Sequence, residues 1–368
     1  MSKQDLDDRS VSGGRGNNGN AGNRRKTTAD LGLQVVEHVY QRMMISSKCS
    51  VRDKRGFTWW NKDIAQRVWA DPSNRTRGVM VSRLHARTDL LDGFRPSEAS
   101  LSLINDLSKQ STLSGFIQND NCPSQLQLAA SISVHLRTFK MVMELFTIVV
   151  AIQAAEARAK THSLTGILGA SPAASSHPTS GPRPQYDGMA DAVAGPMKLF
   201  GQEPSVWSGN ECEAALASIE SSGWCLTATG DHNSFAAELP FHRMTSLLTV
   251  KTDEVHPRLG HGAFLRLSIP ARHAKAEAHR LVLEFNEWEL TEVSGIHCLG
   301  SWYADPQGLA YVTFLPNMAR RPGLLSVMAM SMLGRAKWVA EDVYADNWKQ
   351  SVKQAKPAMG ASWKDKQQ

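Results

Sequence analysis

Residues 299–314, LGSWYADPQGLAYVTF, decide how the rest of the chain is read. The wider arms IHCLGSWYAD and GLAYVTFLPN are rich in β-branched and aromatic residues. The DPQG between them supplies the Asp-Pro and Gly of a tight turn, so the stretch predicts a β-hairpin. A methionine-rich helix over 323–345 follows at once. Leu324, Met328 and Met332 share one face, Leu325 and Ala336 sit beside it, and Met330 points elsewhere. An apolar arc this wide must pack on a sheet, a helix or another chain, and methionine adapts to varied partners.

Working upstream, a helix from about His273 to Leu290 puts Leu281, Phe285 and Trp288 on one face. Before it lie strand-like runs, GWCLTATGD, SFAAELPFH, SLLTVKTDEV and AFLRLSIPAR, and a helix, GNECEAALASIESS. The same order stands further upstream. An amphipathic helix carries Leu31, Val35, Val39 and Met43, with Thr28 or Asp30 as its cap. GFTWWNKDIAQRVWADP and GVMVSRLHARTDLL read as the two arms of a hairpin. Pro96 opens a short helix, TLSGFIQND and QLQLAASISVHL form two strands, and a helix runs from Thr138 to Lys160.

Each half thus reads helix, strands, helix, two strands, helix. The expected fold class is α+β, with two tandem two-layer domains, each an antiparallel sheet with helices on one face. The expected division is a leader over 1–27, a first domain over 28–160, a linker over 161–206, a second domain over 207–347 and a basic tail over 348–368. The linker boundary rests on GASPAASSHPTSGPRPQYDG, which is dense in Pro, Gly, Ser and Ala.

The second half, Trp224 to Tyr344, resembles the YbjN-like family, whose fold is that of type III secretion chaperones. The resemblance rests on the strand opening GWCLT, the strand FLRLSIPAR, the helix HAKAEAHRLVLEFNEWEL and the hairpin above. Where that family carries an NxxN-like step, this chain reads Phe285-Asn286-Glu287-Trp288. The resemblance implies a domain that binds protein segments, is not an enzyme, and pairs through helices or sheet edges, internally in a tandem copy.

The chain carries 41 Lys and Arg against 35 Asp and Glu, and the surplus concentrates in the terminal segments. Its five cysteines, Cys49, Cys122, Cys212, Cys225 and Cys298, form no CxxC pair, a pattern that fits reduced thiols in the cytoplasm. The longest apolar stretch, MVMELFTIVVAIQAA, falls short of the ~20 residues a membrane helix needs.

Chemical motifs are sparse. Asp231 and His232 mark a strand end, with His242 or His261 as further ligand candidates, but Gly-Asp-His-Asn is also ordinary turn chemistry. His256, Gly260, His261 and Gly262 suggest a phosphate loop, yet GxGxxG and GK[ST] are both missing. His273 and His279 lack the i, i+4 spacing of helical metal ligands and are expected on the solvent side. Glu284, Glu287, Glu289 and Glu292 are expected on a solvated helix face. No catalytic, cofactor-binding or metal-ligating set is assigned, and no cofactor is expected.

The expectation is a non-catalytic protein-binding, chaperone-like or regulatory adaptor that holds a protein or peptide segment. Its candidate partner contacts are Trp59, Trp60, Trp69, Leu324, Met328, Met330 and Met332. The alternative is a nucleic-acid-associated regulator that stacks bases on the Trp59/Trp60 strand beside Lys54, Arg55 and Arg67 and uses the basic tails.

Overall fold

The computed structural model describes residues 30–344 apart from Arg77, Asp120, Asn121, 183–202, Arg272 and 292–295. The expected leader over 1–27, the tail over 348–368 and Glu292 lie outside the described residues.

The first half opens with helix α1, Leu31–Arg42, whose first turn Asp30 caps by accepting from Leu33 N–H at 3.2 Å. Its sheet holds β1 (Ser50–Arg52), β2 (Gly56–Asn61), β3 (Ile64–Ala70), β5 (Val79–Asp92), β7 (Cys122–Val134) and β6 (Gly115–Asn119), in that spatial order. Two short strands, β4 (Asn74–Thr76) and β8 (Ser171–Pro172), also pair with β5. Helix α2 (Glu98–Ser108) precedes β6, and helix α3 (Phe139–Leu168) follows β7.

The second half repeats this plan. Helix α4 (Gly209–Glu220) leads into a sheet of order β9 (Thr227–Gly230), β10 (Ser234–Phe241), β11 (Met244–His256), β12 (Gly260–Ile269), β14 (Gly308–Pro316) and β13 (Ser301–Asp305). Helix α5 (Lys275–Thr291) precedes β13, and the methionine-rich helix α6 (Leu324–Trp338) follows β14. All pairings within both sheets are antiparallel. Apart from the short β4 and β8, the chain therefore runs one topology twice, helix, four strands, helix, two strands, helix.

Several boundaries differ from the sequence reading for identifiable reasons. GFTWWNKDIAQRVWADP is two strands, because the chain reverses at Lys62-Asp63 with Lys62 at φ 62°. No Gly or Pro marks that turn. Helix α3 passes Lys160 and continues to Leu168, because Leu164 extends its buried stripe and Gly169, at φ 62°, ends it in the left-handed conformation. The Pro-rich stretch then packs back on the first sheet: Ala173 and His177 are buried, and Ser175 Oγ accepts from Trp60 Nε1–H at 3.0 Å.

One apolar core runs through both halves, from Phe146 and Ile132 to Leu265 and Trp302. The backbones also cross. Cys298, three residues before β13, exchanges N–H···O bonds of 2.8 and 3.0 Å with Ser131 of β7. Thr112, three residues before β6, accepts from Phe314 N–H of β14 at 3.2 Å. Each approach segment thus begins on the other half's sheet and then joins its own. At the crossing a Cβ on Gly115 would stand 2.9 Å from the Gly300 carbonyl oxygen, so the contact requires a residue with no side chain.

Candidate binding surfaces and the buried joint

Trp59 is fully buried. Its Nε1–H donates to Gln66 Oε1 at 2.7 Å, and Gln66 donates in turn to Gln153 Oε1 at 2.9 Å. Trp60 is buried under the 173–177 segment, with the His177 ring 5.4 Å away in a T-shaped pair. Neither ring presents a face for base stacking. Trp69 is only partly buried, but its faces are occupied. His85 stacks on it at 4.7 Å, and the guanidiniums of Arg67 and Arg87 lie 5.0 and 5.8 Å from its centroid. Leu324, Met328 and Met332 sit at 0% exposure in the core, whereas Met330 is 38% exposed on the far side of α6. The breadth of the apolar arc is thus satisfied within the chain.

Helix α6 also carries a charge that its apolar reading hid. Arg335 is fully buried and makes a two-pronged ion pair with Glu289 of α5 through Nε and Nη2. Nη2 also donates to His297 O at 3.0 Å, and the guanidinium lies 3.5 Å from the Tyr311 ring centroid. From the first half, Arg83 donates to Glu289 O, to Ser131 Oγ at 2.9 Å and to Cys298 Sγ at 3.2 Å. Glu287 pairs with Arg87 at 3.1 Å. The solvated-face reading of Glu287 and Glu289 is therefore corrected: both are buried, because the first half supplies or shields their partners. The signal was present, since Arg335 falls on the same helical stripe as Met328 and Met332.

This joint ties the halves together and leaves its thiol inert. Burial pushes the Cys298 thiol up, away from the reactive thiolate. Burial, together with Arg335, lowers the His297 imidazole to about 4, so it stays neutral and accepts from Ser133 N–H at 3.2 Å.

The remaining motifs disperse. Asp231 holds a turn by accepting from Asn233 and Ser234 N–H at 2.8 and 2.7 Å, and His232 faces Glu213 at 3.3 Å. His242 stands at the opposite end of β10, at the β10–β11 turn with φ 51°, so it does not join them. His261 pairs with Asp253 at 2.6 Å, and His256 faces Gln110 O at 3.1 Å. Among the described residues no group of three or more His, Cys, Asp or Glu could hold a metal ion, and no helix is long and apolar enough to cross a membrane.

Among the described residues the β9 edge is exposed. β9 ends the second sheet, and three of its four residues are exposed. Asp231 N–H donates to Ser234 O at 2.8 Å and continues the register in which Gly230 faces Phe235. Hydrogen-bonded pairs alternate along an antiparallel ladder, so Thr227 and Thr229 bond to β10. The N–H and C=O groups of Ala228 and Gly230 then point away from the sheet. Leu226, 46% exposed, stands at the start of this edge. Glu220 and Glu238 lie close enough to push the Cys225 thiol up together with burial. No family model, curated protein or solved structure matches the chain.

Proposed function

We propose that the chain is a non-catalytic cytoplasmic adaptor that captures an extended protein segment by strand addition to β9. The observation that carries this reading is the exposed β9 edge, whose alternate backbone groups point away from the sheet. Leu226 provides an apolar contact for the segment, and the carboxylates of Glu220 and Glu238 favour Lys or Arg in it. The repeated topology serves as the rigid scaffold that presents this edge. The candidate contacts on α6 reduce to Met330, because the other three side chains are spent on the core.

The test is a display library of random dodecapeptides selected on the full chain. Selected peptides alternate apolar and basic residues, and Ala228→Pro weakens their binding by about tenfold or more while leaving the fold intact. Binding unchanged by Ala228→Pro, or no enrichment over background, rejects the reading.

A further inference from the structure

Tyr344, just past α6, is the last of the described residues, and it leaves the chain close to β9. Its ring lies 5.8 Å from that of Phe241, the last residue of β10, and its hydroxyl is 2.6 Å from His273 Nε2. Lys337, in the last turn of α6, holds its ammonium 4.9 Å from the centroid of Trp224, two residues before Leu226. Leu226 N–H donates to Glu238 O of β10 at 2.9 Å. The C-terminal end of α6 and the start of the β9 edge thus share one end of the second sheet.

The edge and the residues that follow Tyr344 match in charge and in pattern. Glu220 and Glu238 lie near Cys225, and neither makes an ion pair among the described residues. Residues 345–368 hold five lysines and two aspartates. In the run WKQSVKQAK, residues 348–356, Trp348, Gln350 and Val352 fall on one face of an extended strand, and Lys349, Ser351 and Lys353 fall on the other. Pro357 follows and ends a paired strand. The β9 edge has the same two faces. Glu238 is exposed on the outer one and accepts from the Thr227 hydroxyl at 3.0 Å, while Leu226, one residue before Thr227, alternates to the core side. Reach is sufficient. Leu226 stands about two residues along from Phe241, and a strand outside β9 stands two spacings across from β10, ~12 Å in all. The extended chain from Tyr344 to Trp348 spans up to ~14 Å.

We propose that Trp348–Lys356 of this chain docks on β9 as an added edge strand, with Trp348 and Val352 on the Leu226 side and Lys349 and Lys353 on the Glu238 side. Because the chain leaves Tyr344 at the N-terminal end of β9, the added strand runs parallel to it. The inference rests on the capture reading and supplies its regulation: the chain's own C-terminal run occupies the edge, and an external segment has to displace it.

The test is amide hydrogen exchange of the full chain, read residue by residue, beside Val352→Pro and the double variant Lys349→Glu, Lys353→Glu. Ala228 and Gly230 N–H exchange about tenfold or more faster in both variants than in the unaltered chain. Thr229 N–H, bonded to β10, stays slow in all three and reports an intact sheet. Peptides selected on β9 bind Val352→Pro about tenfold or more tighter than the unaltered chain. Equal exchange of Ala228 and Gly230 in all three proteins overturns the proposal. If the selected peptides still bind, the capture reading stands; if no peptide is enriched on any of the three, it falls as well. Protection at Ala228 that is lost on dilution assigns the contact to a second copy and overturns docking within the chain.

Discussion

Arg335 and Glu289 carry the largest electrostatic stake of any pair at the junction. Both are fully desolvated, so their attraction has to offset a penalty of several kcal/mol per ion. Removing one partner leaves the other charge buried alone: Arg335→Met is expected to cost about 3–5 kcal/mol in urea unfolding. Pairing it with Glu289→Met recovers most of that loss, because two well-packed apolar side chains need no partner. A double variant as unstable as the single one contradicts the assignment. His297 sets a pH dependence at the same place. Its folded value near 4 lies below the ordinary 6.5, so between these limits the unfolded chain binds a proton that the folded chain refuses. Stability therefore falls as pH drops from about 6.5 toward 4 and levels off below, a loss of roughly 3 kcal/mol from this group. Burial also lowers His85, His256 and His279, so His297→Gln shallows that slope without abolishing it. Urea titrations at a series of pH values read both effects.

At the scale of elements, two features decide the outcome, the crossing of β6 with β13 and the ladder of β9. Gly115→Ala drives a methyl group against the Gly300 carbonyl, and two paired backbones cannot both retreat. We expect it to cost about 1–3 kcal/mol, measured by thermal unfolding, whereas Ala at Gly166, with open space around it, is tolerated. On β9 the alternation of bonds separates neighbours: Thr229→Pro removes an N–H bonded to β10 and destabilises, while Ala228→Pro removes an outward one and does not. Equal effects at both positions contradict the register. The long amphipathic stretches were legible in sequence because burial imposes a period of 3.6 or 2 on them. The Lys62-Asp63 reversal was not, since a non-glycine residue held at positive φ by its neighbours leaves no compositional mark. The Pro-rich segment misled in a similar way. Composition alone says nothing of Ala173 and His177 being covered by the first sheet.

For the molecule as a whole, the repeated order of elements was readable, but the joint between the copies was not. Glu287 and Glu289 look solvated when α5 is considered alone. They are buried because Arg83, Arg87 and Arg335 come from elements more than forty residues away in the chain. The candidate partner residues moved for the same reason: Trp59, Met328 and Met332 found partners inside the chain. The structural account holds that the two halves are one cooperative body, sharing a core, a crossed pair of strands and the Arg87–Glu287 ion pair. The direct measurement is to place a protease site between Arg183 and Gln202, outside the described residues, cleave there, and compare intact and cut protein by calorimetry and size exclusion. The account predicts that the fragments co-elute and that the intact chain melts in one transition whose calorimetric and van't Hoff enthalpies agree. Two separate transitions, or fragments that part without denaturant, contradict it.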